Sequence, residues 1–373
     1  MIDTTLIVLC AGDSTRFSLQ PKKQWLRIGD EPLWLNVTNR LSNYAKFTKT
    51  IVVGHKDELN YMKNYSTDFD FVSGGNTRQQ SMLNALQNVT TKYVMITDVA
   101  RCCIPKDIIL ELLSNRTKAS CIVPYLNVSD TVVYGDDTIN RDDVKLIQTP
   151  QLSDTEILKE ALNNAKTFTD DSSAIKDIEQ SVYYIKGSHL SKKLTFGDEI
   201  NDINCLETPS NDSFVGTGID IHPFEENKQM VLGGIKIDCK YGFKAHSDGD
   251  VLIHSIIDAI LGAIGAGDIG EFFPDNDPKY KGIDSKELLN YIVKFVSNVG
   301  YEIVNIDLTI IAQIPKINPH KQNIKSSLSQ LLKIPPYKIN IKATTAEKLG
   351  FIGREEAVAV QSIASLKYYD WTK

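Results

Sequence analysis

The sequence predicts an α/β protein with two domains, on three observations. Its 373 residues exceed the ~100–200 residues of a typical domain. The first half alternates short apolar runs with helical periods, which is typical of a Rossmann-like, mostly parallel sheet with helices on both faces. The second half combines strands with two strongly apolar helices and predicts an α+β domain. A polar segment around Pro209 separates the halves, so we expect domains at residues 1–208 and 213–373.

The elements of the first half follow from their apolar patterns. Strands are predicted at residues 6–10, 50–54, 93–97, 119–123 and 182–185. Helices are predicted at residues 34–41, 78–86, 108–113 and 155–165. Trp25 and Trp34 are expected in the core. Ligands of such a sheet bind at the carboxyl ends of its strands.

In the second half, several predicted strands are apolar on both faces, which indicates burial against helices or another subunit. Strands are predicted at residues 214–221, 229–236, 305–312, 338–343 and 358–364. Helices are predicted at residues 251–264 and 285–299, and the basic stretch 321–325 is expected to be solvated surface.

Composition and charge exclude several classes of protein. A net charge of −6 and a pI near 5.6 argue against non-specific nucleic-acid binding. No apolar run approaches the ~20 residues that span a bilayer, and the N-terminus has no signal-peptide pattern. The six cysteines show neither CxxC nor disulfide-framework spacing, so we expect a reducing, cytoplasmic location.

A phosphate-handling site is predicted where the first strand ends. Ala11 and Gly12 let backbone N–H groups approach an anion, and Arg16 and Lys23 add cations. The loop is not a P-loop, because GxxxxGK[ST] is absent. An ordinary turn with solvated basic residues is the alternative.

Three further polar segments favour the phosphate site. Residues 74–81 follow a strand and open a helix, whose first N–H groups can hold a base or phosphate. Asp98 ends an apolar strand, where a carboxylate can hold Mg²⁺ bridged to phosphates. Thr131 and Arg141 lie in later polar loops.

These motifs, in this order, resemble the 2-C-methyl-D-erythritol 4-phosphate cytidylyltransferase family over roughly residues 1–205. That family is a nucleotidyltransferase family that transfers CMP from CTP to methylerythritol phosphate and releases pyrophosphate. The resemblance implies that Arg16 and Lys23 stabilise charge at the α-phosphate, that Asp98 binds Mg²⁺, and that Thr131 and Arg141 grip the sugar phosphate. Lys193 is our candidate for a basic group that holds the acceptor phosphate. The implied substrate contacts also include Ala11, Gly12, Gly75, Asn76, Ser81 and Arg101.

The resemblance has departures and a rival. Leu9-Cys10, Asn76 and Cys102 differ from the residues usual in that family, so contacts to the base can differ. A sugar-1-phosphate nucleotidyltransferase is the rival for this half, but such an enzyme usually has a longer glycine run before its arginine.

A metal site is predicted in the second half. Asp220 and His222 are two residues apart on a strand and therefore share a face, while His254 lies on the following helix. Two histidines and one carboxylate with an open fourth position form the pattern of a catalytic zinc site. The alternative is a surface strand pair beside a structural histidine. The GxGxxG string at residues 265–270 follows a helix, so we reject a dinucleotide site there.

Residues 214–373 resemble the 2-C-methyl-D-erythritol 2,4-cyclodiphosphate synthase family through GIDIH, AHSDGDVLIH, GDIGEFFPD, TIIAQIPKI and KATTAEKLGFIGR. The resemblance implies that Asp220, His222 and His254 bind Zn²⁺, that Glu347 meets a second cation, and that His246 and Thr345 stabilise the transition state. Implied contacts to the methylerythritol part are Ser247, Asp268, Ile269, Gly270, Phe273, Asp275 and Asp277. Implied contacts to cytidine and phosphates are Ala312, Pro315, Lys316, Ile317, Thr344, Phe351 and Arg354.

The chain as a whole therefore resembles a bifunctional fusion of the two families, with CTP and methylerythritol phosphates as substrates and Zn²⁺ and Mg²⁺ as cofactors. The resemblance implies homotrimers through the second domain, and a hexamer is left open. A kinase must act between the two reactions, and its association with this chain is a further option. No nucleic-acid or membrane partner is expected. A metal-stabilised binding protein without activity is the alternative, which the retained charged residues disfavour.

Overall fold

The structure is a computed structural model that describes residues 2–163, 166–203, 205–245, 247–274 and 276–373. The chain forms two compact units. The first comprises Met1–Pro209 together with Trp371–Lys373, and the second comprises Ser210–Asp370. No helix in the described part of the chain is long and apolar enough to cross a membrane.

The first unit is built on an eight-stranded sheet with helices packed against it. Its strands are β1 (Ile2–Cys10), β2 (Arg27–Ile28), β3 (Glu31–Pro32), β4 (Phe47–Gly54), β5 (Asp70–Ser73), β6 (Tyr93–Asp98), β7 (Cys121–Asn127), β8 (Val132–Tyr134), β9 (Asp137–Ile139), β10 (Lys145–Ile147), β11 (Gln151–Asp154) and β12 (Val182–Lys186). Its helices are α1 (Leu33–Tyr44), α2 (Leu59–Lys63), α3 (Arg78–Leu86), α4 (Lys106–Ser114), α5 (Thr155–Leu162) and α6 (Asp171–Asp177).

The order of the main sheet is β10-β7-β11-β6-β1-β4-β5, with β12 paired to β7. The ladders β1–β4, β1–β6, β4–β5 and β7–β12 are parallel, and β10 and β11 run antiparallel to their neighbours. The chain moves outward from β1 through β4 and β5, then returns to β6 on the other side. This reversal creates a switch point between β1 and β6, where ligands of open α/β sheets bind.

The core of the first unit explains why these segments form strands. Leu6 and Ile7, neighbours on β1 whose side chains point to opposite faces, are both fully buried, so both faces of the sheet are covered. Trp25 and Trp34 are also fully buried, as the sequence predicts, and their rings meet edge to face at 6.1 Å.

The second unit is built on a five-stranded sheet of order β16-β13-β19-β17-β18. Its strands are β13 (Ser213–Glu226), β14 (Met230–Leu232), β15 (Ile235–Ile237), β16 (Tyr241–Phe243), β17 (Tyr301–Ile311), β18 (Ile339–Thr344) and β19 (Ala357–Tyr368). Its helices are α7 (Val251–Ala263), α8 (Ile269–Phe272), α9 (Ser285–Asn298), α10 (Lys321–Leu332) and α11 (Gly350–Gly353). Short 3-10 helices in the two units cover Lys23–Trp25, Arg141–Asp143, His189–Ser191, Asp198–Asp202, Pro278–Tyr280, Asn318–His320 and Pro336–Lys338.

Helix α7 lies directly on β13 because two glycines remove side chains from the contact. A Cβ on Gly216 would sit 2.1 Å from the carbonyl oxygen of Ala259, and one on Gly218 would sit 2.0 Å from that of Ser255. Such distances are too short for any real Cβ. The close approach brings the helix that carries His254 against the strand that carries Asp220 and His222.

Three sequence expectations are corrected by the structure. Residues 229–236 form the hairpin β14–β15 rather than one strand, because Gly233 and Gly234 adopt positive φ values of 63° and 77°. Residues 321–325 begin helix α10 and, apart from the buried Ile324, are exposed or half-buried, which agrees with the expected surface position. Cys103 and Cys205 form a disulfide, which spacing could not indicate because 102 residues separate them. The predicted helix at residues 155–165 ends earlier among the described residues, at Leu162, and its positions 164 and 165 lie outside them.

Candidate functional sites

The first site is a cavity of about 470 Å³ at the switch point between β1 and β6. The loop after β1, the glycine-rich loop after β5 and the carboxyl end of β6 form its walls. The structure brings together in this cavity nine of the residues that the sequence predicts: Ala11, Gly12, Arg16, Lys23, Gly75, Asn76, Ser81, Asp98 and Lys193.

Asp98 lies among the cations of this cavity. Its Oδ1 accepts a hydrogen bond of 3.1 Å from Nε of Arg78, and its Oδ2 accepts one of 2.7 Å from Nζ of Lys193. Burial alone would raise the pKa of Asp98, but the two ion pairs outweigh it and lower the pKa to about 2. Asp98 is therefore an ionised carboxylate throughout the neutral range.

Lys23 lies in a cation-rich part of the same cavity. Burial, followed by repulsion from Lys193 and Arg16, lowers the pKa of Lys23 to about 8. Three cations held close together repel one another, which costs free energy unless an anion lies between them. A polyphosphate bound there would relieve this repulsion.

The glycine-rich loop is held in shape by hydrogen bonds at the start of α3. Gly75 N–H donates to Oγ of Ser81 at 3.0 Å, and Ser81 in turn donates to the carbonyl oxygen of Thr77 at 2.9 Å. A Cβ on Gly74 would lie 2.3 Å from that of Ala11, so glycine is required where this loop meets the loop after β1. The geometry leaves backbone groups free of bulky side chains along one wall of the cavity.

Three predicted residues of the first unit lie outside this cavity. Arg101 donates to the carbonyl oxygens of Ser191 at 2.7 Å and Ile147 at 3.3 Å. Thr131 and Arg141 are exposed in and beside the β8–β9 hairpin, where Arg141 donates to the carbonyl oxygen of Ser129 at 2.6 Å.

Sequence reasoning missed two residues in the cavity wall. Arg78 pairs with Asp98 and also with the buried Asp171, at 3.2 Å. Its place three residues after Gly75 in the glycine motif was the available signal. His55 also lines the cavity, with Nε2 3.3 Å from Oδ1 of Asp13. No spacing pattern in the sequence links His55 to that carboxylate.

The second site is a three-residue cluster that joins β13 to α7. Nε2 of His222 lies 3.0 Å from Oδ2 of Asp220, and Nδ1 of His254 lies 3.4 Å from the same oxygen. The potential ligand atoms of the three residues all lie within 4.8 Å of one another. Oδ2 of Asp220 is buried and takes no hydrogen bond of acceptable geometry from the described residues, which fits a carboxylate that faces a cation.

Hydrogen bonds on the far side of each ring select the tautomers. Nδ1 of His222 lies 2.8 Å from the carbonyl oxygen of Gly249, so it carries the proton and leaves Nε2 as a free lone pair. Ser285 donates its hydroxyl to Asp248 at 2.5 Å, so its oxygen accepts from Nε2 of His254 at 3.0 Å. Nδ1 of His254 is then also a free lone pair. Both lone pairs face Asp220, which is the arrangement a metal ion needs.

Asp250 fixes the helix that presents His254. It caps α7 by accepting from the N–H of Ile253 at 3.1 Å. The same carboxylate accepts from the N–H groups of Gly233 at 2.9 Å and Gly234 at 2.6 Å, so the β14–β15 turn is tied to the start of α7.

The residues predicted around the methylerythritol part lie near the ends of short elements. Oγ of Ser247 lies 3.3 Å from Nε2 of His254, and Asp268 caps α8. Ile269 and Gly270 are in that helix, Phe273 follows it, and Asp277 caps the next 3-10 helix. His246 and Asp275 lie outside the described residues.

The segment predicted to hold cytidine lies across the sheet from the metal cluster. Asp220 pairs with Val360, Val360 with Ile310, and Ile310 with Ala343, so these residues form one row across β13, β19, β17 and β18. Strands lie ~4.8 Å apart, which puts Asp220 about 14 Å from Ala343. The predicted residues close to this end are Ala312, Pro315, Lys316, Ile317, Thr344, Thr345 and Glu347, followed by Phe351 and Arg354 near α11.

Two contacts order this cytidine segment. The N–H of Ala312 donates to the carbonyl oxygen of Thr344 at 3.0 Å, which joins the ends of β17 and β18. The hydroxyl of Thr345 donates to Oε1 of Glu347 at 2.6 Å. The side chains of Thr345 and Glu347 are available to a ligand, although neither contacts the cluster of Asp220.

Comparisons with known proteins agree with this division. The family model described as 2-C-methyl-D-erythritol 4-phosphate cytidylyltransferase matches residues 4–205, and that of the YgbB family matches residues 213–367. The chain is 68% identical to the bifunctional enzyme IspD/IspF of Aliarcobacter butzleri, over 100% of this chain and 100% of the relative. It is 51% identical to that of Campylobacter fetus, over 100% of this chain and 99% of the relative.

A solved structure supports the same assignment. The bifunctional IspDF from Campylobacter jejuni is 45% identical, with a TM-score of 0.88 over 99% of this chain and 100% of that one. The mixed α/β fold expected from the sequence is therefore confirmed. With a cytidylyltransferase and a lyase domain both present, the chain belongs to the family of bifunctional IspD/IspF enzymes of the methylerythritol phosphate pathway of isoprenoid synthesis.

Proposed function

We propose that cytidylyl transfer from CTP to 2-C-methyl-D-erythritol 4-phosphate takes place in the cavity between β1 and β6. The observation that supports this is the group of repelling cations, Arg16, Lys23 and Lys193, around one ionised carboxylate. Phosphoryl and nucleotidyl transfer need positioning and charge stabilisation rather than a protein nucleophile. Arg16 and Lys23 stabilise the charge that develops at the α-phosphate when the acceptor phosphate attacks and pyrophosphate leaves.

The remaining residues of this site divide between nucleotide and acceptor. Gly12, Gly75, Asn76 and Ser81, together with Ala11, hold the base and ribose. Lys193 holds the acceptor phosphate. Arg101, Thr131 and Arg141 stay in the proposed acceptor site, although in a single chain they lie outside the cavity.

Mg²⁺ is the proposed cofactor of this site. Asp98 fits it, because its carboxylate is ionised and lines the cavity in which the phosphates would lie. The ion, held by Asp98, would supply positive charge that offsets the charge of the phosphates. Holding it would loosen the pairing of Asp98 with Arg78 and Lys193 and leave Lys193 available to the acceptor.

We propose Zn²⁺ for the cluster of Asp220, His222 and His254 in the second unit. Two imidazole nitrogens and one carboxylate oxygen form a donor set that zinc prefers, with a fourth position open. The ion would act as a Lewis acid on a phosphate of 4-diphosphocytidyl-2-C-methyl-D-erythritol 2-phosphate. Glu347 would hold a second divalent cation between the phosphates, Mg²⁺ or another.

The reaction at this second site is intramolecular. An oxygen of the 2-phosphate attacks the β-phosphorus, the bond from that phosphorus to the oxygen of CMP breaks, and the 2,4-cyclodiphosphate forms. His246 and Thr345 stabilise the transition state. The residues predicted around the methylerythritol part and the cytidine hold the two ends of the substrate, which supplies proximity.

A homotrimer through the second unit is proposed. The sheet face opposite α7 exposes Val215 (66%), Ile219 (62%) and Ile221 (45%) on β13, and Ile363 (39%) on β19. An apolar face of this kind is typical of an interface. The separation of about 14 Å between Asp220 and Ala343 leaves room for complete sites built between neighbouring subunits. A hexamer of two trimers is also compatible with the structure, because each chain carries a further unit, the first, that could make additional contacts.

Further proposals concern the chain's boundaries and surroundings. We infer a cytidylyltransferase domain at residues 1–208 and a synthase domain at residues 213–373. We infer a cytoplasmic location, where CTP is available. The two reactions are not consecutive, because a phosphate must be added between them, so association with the intervening kinase is a reasonable partner hypothesis.

Two variants test the assignment of activities. Lys23→Ala is expected to lower kcat/KM of cytidylyl transfer about 100-fold with cyclisation unchanged. His254→Ala is expected to remove bound zinc and cyclisation with cytidylyl transfer unchanged. Pyrophosphate release, CMP release and metal content are measured on both proteins, so each variant is the other's control. Loss of both activities in a folded variant, or full zinc occupancy in His254→Ala, would contradict the assignment.

A further inference from the structure

Cys103 and Cys205 join two segments of the first unit that also carry the proposed catalytic groups. Cys103 follows β6 by five residues and Cys205 follows the 3-10 helix Asp198–Asp202. Their Cα atoms are 5.8 Å apart, within the usual range for a disulfide, and both side chains are partly exposed. Neighbouring Cys102 is buried, and burial raises the pKa of its thiol to about 11. Cys102 therefore stays a protonated thiol, and the reactive pair is Cys103 with Cys205.

A second cavity, of about 310 Å³ and distinct from the nucleotide cavity, opens onto Cys205. Arg40 lines this cavity, and its Nε and Nη2 are buried and donate no hydrogen bond to any of the described residues. Two carboxylates face the same space, and one of them, Glu31, accepts from Nδ2 of Asn36 at 3.2 Å. The polar side chains of the cavity are Glu31, Asn36, Asn39, Arg40 and Glu207.

This mixture of charges selects a particular class of ligand. The unused donors of Arg40 fit a carboxylate, and the carboxylates of Glu31 and Glu207 fit an ammonium group. A molecule that carries both groups and ends in sulfur would present that sulfur to Cys205. That description matches the amino-acid thiols and their disulfides, such as cysteine and glutathione.

We propose that Cys103–Cys205 is a reversible thiol–disulfide exchange site, and that the cavity beside Cys205 binds the amino-acid thiol that reacts with it. The bound thiolate attacks Sγ of Cys205, forms a mixed disulfide with it and expels Cys103 as a thiolate, which takes a proton from water. A second thiol attacks the mixed disulfide and releases Cys205 together with the oxidised small molecule. The protein disulfide and two thiols thus give a protein dithiol and one low-molecular-weight disulfide, and the reverse reaction oxidises the protein.

The exchange changes a tether at the cytidylyltransferase site. Segment 191–195 already lies against the loop after β6, because Arg101 binds the carbonyl oxygen of Ser191 and the N–H of Leu194 donates to that of Ala100 at 2.8 Å. The disulfide adds a covalent link from the loop after β6 to Cys205, ten residues beyond this segment. Reduction removes that link, so segment 191–195 is held less firmly and the affinity for the acceptor phosphate should fall. This consequence, unlike the exchange itself, rests on the proposed role of Lys193.

The test uses the full chain in glutathione buffers of graded oxidation, quenched with an alkylating agent and analysed by peptide mass spectrometry. A Cys103–Cys205 crosslink is expected to convert to free thiols as reduced glutathione increases. Cys103→Ser is expected to accumulate glutathione on Cys205, and Cys205→Ser to accumulate none on Cys103 or Cys102. Cys239→Ser, which changes a half-buried cysteine of the second unit, is the matched control.

The cavity is tested by the choice of thiol. Arg40→Met should slow exchange with glutathione about tenfold, the effect of losing one charge-assisted hydrogen bond. Exchange with cysteamine, which has no carboxylate, should keep its rate. The glutathione exchange rate of Arg40→Lys, a milder change, should lie between those of the wild type and Arg40→Met. Arg40→Lys serves as the test if Arg40→Met folds poorly. Equal glutathione rates in the wild type and both variants would overturn the role of the cavity.

Two other results would overturn the exchange site. One is the absence of a Cys103–Cys205 crosslink at every glutathione ratio. The other is zinc that the reduced chain binds, that persists in His254→Ala and that disappears in Cys205→Ser. Such zinc would identify the sulfurs of Cys102, Cys103 and Cys205 as a metal site. The acceptor KM, measured in the same buffers, should rise on reduction and remain high in Cys205→Ser. An unchanged KM with a reversible crosslink would remove only the consequence that rests on Lys193.

Discussion

At the scale of single residues, Lys23 shows how the first site prepares for its substrate. It is buried beside Arg16 and Lys193, and the resulting desolvation and repulsion lower its pKa to about 8. The energy that this arrangement costs is recovered when polyphosphate anions enter. The carboxylates of Glu199 and Asp98 favour the charged form of Lys23, but they do not outweigh its burial and the repulsion from the other cations.

The pKa of Lys23 predicts a pH dependence. Lys23 is charged below its pKa and loses its charge as the pH rises through about 8. Since kcat/KM reports ionisations of the free enzyme, its value for cytidylyl transfer should fall above that pH. Lys23→Arg keeps the charge and should move the decline to higher pH, while Lys192→Ala, at an exposed neighbour of Lys193, should leave the profile unaltered. An identical profile in Lys23→Arg would show that another group titrates.

Ser285 offers a second prediction at this scale. Its hydroxyl links Asp248 to Nε2 of His254 and thereby keeps the lone pair of Nδ1 directed at Asp220. Ser285→Ala should weaken metal binding about 10–100-fold, the usual effect of removing a partner of a metal-bound histidine. Competition with a chelator measures the affinity. Ser255→Ala removes a buried hydroxyl from the same helix as His254, yet that hydroxyl contacts Ser362, so this variant should keep the affinity.

At the scale of elements, the close contact of β13 and α7 fixes the geometry of the metal cluster. Gly218→Ala would drive a Cβ against the carbonyl oxygen of Ser255 and should cost about 2 kcal/mol of stability, as overpacking of a tight contact usually does. It should also lower metal affinity, because Asp220 is two residues away. Denaturant unfolding and metal titration test both effects, with Gly262→Ala on α7, where a Cβ would meet no atom closer than 3.9 Å, as the matched control. Unfolding at the wild-type denaturant concentration would show that the helix can shift without cost.

Some elements could be predicted from the sequence and others could not, and each outcome has its own physical reason. Helix α3 was predicted at its observed bounds, because Thr77 caps it and its apolar spacing is regular. Strand β11 was missed because Gln151 and Ser153 are buried polar residues of an antiparallel insertion, so no apolar pattern marks them. The β14–β15 hairpin was read as one strand because the two glycines interrupt an otherwise continuous apolar run.

The candidate sites show the same limit. Asp220, His222 and His254 could be grouped from the sequence, because a strand period and a helix start determine their faces. Arg78 lies in the glycine motif and was overlooked, whereas His55 could not be grouped with the first site, because its contact with Asp13 depends on how distant segments align. Nor could the Cys103–Cys205 pair, since each cysteine lies in an irregular segment with no periodicity.

At the scale of the whole molecule, the net charge of −6 says little about either site. The first site collects cations from the loop after β1, from the 3-10 helix that follows it and from the segment before Thr195, so an acidic chain still presents a cation-rich cavity. In the second site as proposed, a metal held by Asp220, His222 and His254 would face the phosphates instead of lysine or arginine. On this proposal the two units meet phosphates by different physical means.

The exposed apolar face of the second unit predicts how the chain assembles. Ile219→Glu puts a charge at the centre of this face, where Ile219 is 62% exposed, and should convert a trimer to monomers. Light scattering during gel filtration gives the mass. Because Asp220 and the cytidine segment are about 14 Å apart within one chain, cyclisation should fall with the trimer, whereas cytidylyl transfer should persist. Leu110→Glu, at a leucine of α4 that is 46% exposed, is the control and should keep both mass and activities. Monomers of Ile219→Glu with full cyclisation would show that one chain holds a complete site.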